Sequence, residues 1–271
     1  MPGSDVTIEP LPLMRQLETD IGWLAKMTDP IIGLLEIDVT EARRRIQAQA
    51  QTTGERISFT AYIVHCVAQA VDAHKQVHAI RDWRGRSHIF DEVDVITMVE
   101  IEADGKKTPV GRIIRAANHK TLRQLHEEIR GVQKAQAASG AAQYVRVLAR
   151  IPRFIRRPLM YVLVKTPRWA KQARGTVVVT AVGMFGKGAG WGVALPSHSL
   201  VVMVGGIAEK PWVVNGAITI REILHLTLSF DHAVVDGAPA ARFAARVSEL
   251  IESADGLPES AGEPVAQPVE N

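Results

Sequence analysis

The sequence predicts a mixed α/β domain, on three observations. Amphipathic helical patterns alternate with β-branched strand patterns along the first half. The last third is strand-rich. The length, 271 residues with 46% hydrophobic and 23% charged residues, suits one large domain or two small ones with a substantial core.

In chain order, Ile31 to Val39 reads as a strand, with a helix opening at Thr40 and Glu41 in its first turn. Ser58 or Thr60 caps a second helix, AYIVHCVAQAVDAH, apolar around much of its circumference and therefore expected to be buried. Ser87 to Ala103 reads as one long strand closed by Asp104-Gly105. Asn118 or Thr121 opens a third helix presenting Leu122, Leu125, Ile129 and Val132 on one face. Residues 133–174 break the rhythm, and short amphipathic helices interrupted at Pro152, Pro158 and Pro167 are expected there. Thr176 to Val182 and Leu200 to Ile207 read as strands, and Asn215-Gly216 as a two-residue hairpin turn. The tail from residue 253 is acidic and proline-rich, and is expected to be disordered.

Composition narrows the function. The single Cys66 cannot form an intramolecular disulfide and lies in an apolar helix, where packing is expected. The N-terminus has no basic region leading into an apolar core, and no run is long enough to span a bilayer, so a cytoplasmic location is the default expectation. Net charge is only +3, yet Gly131 to Ala208 contains no Asp or Glu while arginines and lysines accumulate. Such a stretch is either a solvated basic face or a seat for an anion. With 5% aromatics and no recognisable module, nucleic acid is not expected. An anionic membrane surface stays open, because Tyr, Phe, Trp and Leu interleave with Arg. His74 and His78 share a helical spacing without a third ligand, so no metal is expected.

The chemistry concentrates at Arg221 to Glu252. Leu224, Leu226, Leu228 and Phe230 alternate with His225, Thr227, Ser229 and Asp231, so one strand face is expected to be buried and the other polar. The strand ends at Asp231-His232, followed by Asp236-Gly237 and a helix. A histidine fixed at a strand end beside a carboxylate can serve as general base. The same spacing also fits a loop histidine followed by an aspartate that caps the helix, and His225 fits a structural histidine on the polar face.

The segment SFDHAVVDG resembles the active-site signature of the catalytic domain of 2-oxoacid dehydrogenase acyltransferases (E2 components), relatives of chloramphenicol acetyltransferase, with Ala233 where Arg is usual. Gly175 to Gly186 resembles GTFTISNLGMFG, LLEIDVT resembles EVDVT, and Asp104 to Ile129 resembles the family's DG-x-x-x-PV region. The resemblance implies a chloramphenicol acetyltransferase-like two-layer sandwich with a mixed sheet that forms trimers. The divisions are an extension over 1–11, a catalytic domain over 12–252 with a basic insertion over 141–174, and a tail over 253–271. It implies acyl transfer between coenzyme A and a thiol such as a dihydrolipoyl group, the lipoyl group being supplied in trans by another protein's lipoyl domain. His232 would be the base and Thr180 the oxyanion donor, contributed by different protomers. Asp236 and Gly237 would order the loop, with Arg15 pairing to Asp236. A small-molecule O- or N-acyltransferase and a non-catalytic assembly scaffold are the alternatives. Ala181 in place of the usual Asn, Lys106-Lys107, the insertion and residues 187–198 depart from the pattern.

Overall fold

The computed structural model describes residues 9, 11, 13–103, 106–134, 151–181 and 188–259. The expected Asp104-Gly105 turn, the first part of the basic insertion, the GMFG motif and the end of the tail lie outside them.

Strand β1 (Pro30–Asp38), the ribbon β2 (Ile80–Arg81) and β3 (Ser87–His88), β4 (Val95–Ala103), β5 (Lys106–Ile114), β6 (Val177–Ala181), β7 (Leu200–Val214) and β8 (Ala217–Asp231) alternate with helices α1 (Leu13–Ala25), α2 (Thr40–Thr53), α3 (Phe59–Ala73), α4 (Leu122–Lys134), α5 (Arg153–Lys165), α6 (Pro167–Arg174) and α7 (Gly237–Glu252). The main sheet has six strands in the order β1-β8-β7-β6-β4-β5. β6 runs parallel to both neighbours and the other pairings are antiparallel. The expected α/β class and mixed sheet are therefore observed.

One face of the sheet packs against α2, α3, α4 and α7. Helix α3 is enclosed from Ala61 to Ala68, as its all-round apolar pattern requires, and Cys66 is buried there with its thiol pushed up to about 12 by desolvation. Thr121 opens α4 with a reciprocal cap: its hydroxyl accepts the Gln124 N–H while the Gln124 side chain accepts the Thr121 N–H. Asn215 and Gly216 both take positive φ, 51° and 80°, as the hairpin turn demands.

Three expectations need correction. Ser87 to Ala103 is two strands, because residues 89–94 leave the ladder and the buried Asp94 receives the Arg115 guanidinium at 2.8 Å and the Ala116 N–H at 2.9 Å. Pro158 lies inside α5 rather than ending it, on an exposed side where water can reach the carbonyl that lost its donor. The break falls instead at Thr166-Pro167, where proline starts α6. The stretch beginning at residue 253 is ordered through Leu257: Ala254 and Leu257 are buried and Asp255 meets His65 at 3.0 Å. The polar face of β8 is itself enclosed: His225, Thr227 and Ser229 are all at most 3% exposed.

Residues 188–191, ahead of β7, fold back over that face. Gly206 N–H donates to the Gly190 carbonyl at 2.9 Å, Trp191 Nε1 donates to the Leu35 carbonyl at 3.2 Å, and the Trp191 ring stands edge-on to His225 at 4.5 Å. The approach is so close that a Cβ on Gly206 would lie 2.1 Å from the Gly188 carbonyl oxygen, and one on Gly205 2.3 Å from that of Gly190. Only glycine fits at either position.

Two measurable consequences follow from this packing. Gly206→Ala forces two backbones apart, so thermal denaturation should show a loss of about 2 kcal/mol or more. His78 is buried, accepting from the Thr176 hydroxyl at 2.9 Å and donating to the Phe90 carbonyl at 3.1 Å, and burial pushes its imidazole down to about 4. The unfolded chain therefore takes up this proton first as pH falls. The stability held above the ordinary histidine value drains between about pH 6.5 and pH 4, by roughly 3 kcal/mol in all. Denaturant midpoints measured across that window should fall, and His78→Gln should flatten the dependence.

Candidate active site

β8 delivers Asp231 opposite Pro30 at the end of the ladder, and the chain then turns tightly. The Asp231 carbonyl accepts the N–H groups of Val234 and Val235, both at 2.9 Å, and its carboxylate accepts that of Ala233 at 3.1 Å. The His232 N–H donates to the Asp29 carbonyl at 2.8 Å, tying the turn to the chain leading into β1. Every backbone donor from His232 to Val235 is thus engaged, and the imidazole is held on a fixed support.

The His232 Nδ1 lies 3.3 Å from the Val235 carbonyl oxygen. A carbonyl can only accept, so Nδ1 carries a proton, and in the neutral imidazole Nε2 is then the nitrogen with the free lone pair. The Asp236 carboxylate is 3.7 Å from the same Nδ1 and largely exposed. Asp236 occupies the N-cap of α7 but makes no side-chain cap hydrogen bond, so the helix-capping alternative is not the geometry observed. Gly237 opens α7 with nothing within 4 Å of an added Cβ. Arg15, on α1, pairs with Glu18 at 2.9 Å with both side chains exposed, and within one chain the structure does not bring it to Asp236. His225 is a buried structural histidine, donating from Nδ1 to the Gly206 carbonyl at 2.9 Å.

Thr180 is half-buried near the end of β6, entered through Gly175, whose φ of 72° and whose 2.7 Å Cβ distance to the Asp94 carbonyl both require glycine. The register pairs Thr180 with Met203 and Met203 with Thr227. Thr180 is therefore two strands across and five residues back from His232, about 15–20 Å away at ordinary strand spacings. One chain does not assemble the two residues.

Sequence reasoning missed a cluster on the helix side. A cavity of about 480 Å³ is lined by Arg43, Arg44, Arg56 and Arg130 together with Ser58 and Gln47. Arg43 pairs with Glu222 at 2.9 Å, whereas Arg56 and Arg130 have no carboxylate partner among the described residues. A second cavity, about 320 Å³, shares Arg43 and Phe59 with the first and reaches Thr60, Ala181 and Val204. The arginine-lined cavity thus adjoins one that is lined by Ala181, the residue beside Thr180. The four arginines come from three separate segments, so no local pattern advertised them. Among the described residues, no cluster of His, Cys, Asp and Glu could hold a metal, and no helix is long and apolar enough to cross a membrane.

With this geometry in view, comparison with known proteins becomes informative. Residues 167–258 match the family model of the 2-oxoacid dehydrogenases acyltransferase catalytic domain. The lipoamide acyltransferase component of the branched-chain alpha-keto acid dehydrogenase complex of Bacillus subtilis is 28% identical over 228 residues, covering 82% of this chain and 46% of that protein. The dihydrolipoyllysine-residue acetyltransferase component of the Zymomonas mobilis pyruvate dehydrogenase complex is 37% identical over 83 residues, 31% of this chain and 19% of that protein. The chain thus spans less than half the length of these curated relatives. A probable dihydrolipoamide acetyltransferase from Listeria monocytogenes shares the fold at TM-score 0.68 and 18% identity, over 93% of this chain and 96% of that one. Chloramphenicol acetyltransferase shares it at 0.50 and 15%, over 91% and 98%. The fold is that of the E2 catalytic cores and of chloramphenicol acetyltransferase, and the sequence over residues 167–258 is similar to the catalytic domain of the acyltransferase E2 components.

An added methyl at Gly237 meets nothing, and alanine favours a helix over glycine by about 0.5–1 kcal/mol. Gly237→Ala should therefore raise the melting temperature by a few degrees, read by calorimetry or circular dichroism.

Proposed function

We propose that this chain is the catalytic domain of a coenzyme A-dependent acyltransferase, moving an acyl group between coenzyme A and a second thiol. The observation that carries the reading is the His232 Nδ1 contact: the Val235 carbonyl accepts from Nδ1, so that in the neutral, half-exposed ring Nε2 is the free nitrogen. Its E2 relatives, named for lipoamide and dihydrolipoyllysine residues, suggest a dihydrolipoyl group as that second thiol, presented by a lipoyl domain of another protein.

In this mechanism Nε2 takes the proton from the attacking thiol as sulfur bonds to the thioester carbonyl carbon. The resulting tetrahedral intermediate carries its negative charge on oxygen, which needs a donor already in place. Thr180 supplies that hydroxyl from a neighbouring protomer, because within one chain it is too far from His232. The intermediate collapses by expelling the other sulfur, which recovers the proton from the imidazolium. A homotrimer brings the two half-sites together, with the catalytic unit running from residue 12 to the packed Leu257.

Coenzyme A's phosphates fit the arginine-lined mouth, where Arg56 and Arg130 offer charge without an internal carboxylate, and the pantetheine arm follows the adjoining cavity past Phe59 towards Ala181. Asp236 orders the His232 loop, and Arg15 is placed to meet it only across a subunit boundary.

Steady-state kinetics with acyl-CoA and dihydrolipoamide test the proposal. His232→Ala should lower kcat by about 10²–10⁴-fold. Thr180→Ala should lower it by about 10²–10³-fold, while Thr180→Ser retains much of the rate. Arg56→Glu with Arg130→Glu should raise KM for acyl-CoA and leave kcat nearly unchanged. Turnover equal to wild type in His232→Ala would sink the mechanism.

A further inference from the structure

Helix α5 is amphipathic in the wrong sense for a helix lying on a protein in water. Its most enclosed side chain is Arg156, 1% exposed, whose guanidinium donates to the fully buried Asp20 at 2.6 Å. Arg157 meets the other oxygen of the same carboxylate at 3.0 Å and stacks over Trp23. The outward side carries Phe154, Ile155, Leu159 and Val162, between 51% and 77% exposed, with exposed Pro158 among them. At 100° per residue these five side chains fall within an arc of about 140°. Trp169 on α6 continues the surface at 58% exposure.

Cations flank the arc. Arg153 and Arg168 are exposed, Arg157 is one-third exposed, and the sequence has no carboxylate anywhere from Gly131 to Ala208. Beside Arg157 a cavity of about 530 Å³ opens between α1 and the chain ahead of β7, lined by Trp23, Ala25, Leu195 and Pro196 with Lys26 at its edge. Apolar side chains of this size left in water mark a surface that is covered in function.

We propose that the α5–α6 face docks on an anionic lipid bilayer, with α5 lying at the headgroup boundary. Charge complementarity selects this occupant. A second copy applying the same face would set arginine against arginine, whereas an anionic bilayer offers phosphate to the cations and acyl chain to the apolar arc together. The Arg156–Asp20 pair anchors the helix to the domain, so that the apolar side is presented rather than buried. The inference is independent of the acyl-transfer chemistry.

The experiment is co-sedimentation of the full chain with vesicles of phosphatidylcholine alone and of phosphatidylcholine mixed with phosphatidylglycerol, alongside light scattering. The expected result is partitioning onto the mixed vesicles about tenfold or more above phosphatidylcholine alone. Phe154→Ser with Leu159→Ser, and separately Arg153→Glu with Arg168→Glu, should each reduce that partitioning by roughly tenfold. All four positions are exposed, so both variants should keep the wild-type melting temperature. Absence of binding, or equal binding to both vesicle types, overturns the proposal. So does a drop in oligomeric mass in Phe154→Ser with Leu159→Ser, which would assign the arc to contact between copies.

Discussion

A carbonyl oxygen selects the tautomer of the neutral imidazole at the end of β8. Because Val235 accepts from Nδ1, the ring offers a basic nitrogen on its outer side, and this holds only while the Asp231–Asp236 turn keeps its shape. That shape is secured from within by the Asp231 carbonyl and carboxylate, and from the chain leading into β1 by the Asp29 carbonyl. The long hairpin of β7 and β8, pinned by its Asn215-Gly216 turn, fixes where the strand ends. The apolar side of β8 fastens it to α3 and α7 through Leu226, Leu228 and Phe230.

A comparable economy governs β6. The strand is short, yet it is parallel to both neighbours and enters through a left-handed glycine lying against the Asp94 carbonyl. Asp94 in turn holds the Arg115 guanidinium and the Ala116 N–H, so the level at which Thr180 sits is set by a buried polar node well away from it. Residues 188–191 are pressed onto the sheet at Gly205 and Gly206, with Trp191 covering His225.

Most strands and helices were legible because period and turn chemistry agree with burial. The enclosed α3, the Thr121 opening of α4 and the Asn-Gly turn each follow from local residues. What the sequence did not disclose is long-range. Alternation along β8 reports which side chains are polar and not what covers them, and the cover over His225 comes from Trp191, some thirty residues upstream. Ser87 to Ala103 reads as one strand because its β-branched run continues across the place where Asp94 turns inward. The inverted character of α5 depends on one carboxylate on α1, which no helical period can anticipate. The arginine-lined mouth is assembled from α2, the approach to α3 and α4, so it emerges only on folding.

The separation of Thr180 from His232 has a consequence for inheritance. On the proposed reading each chain contributes half of one reaction centre and half of another. A defective allele would then injure its healthy companions in mixed assemblies. Two alleles damaged at different halves could still reconstitute some intact centres. Selection would then act on the encounter between chains as much as on either residue alone.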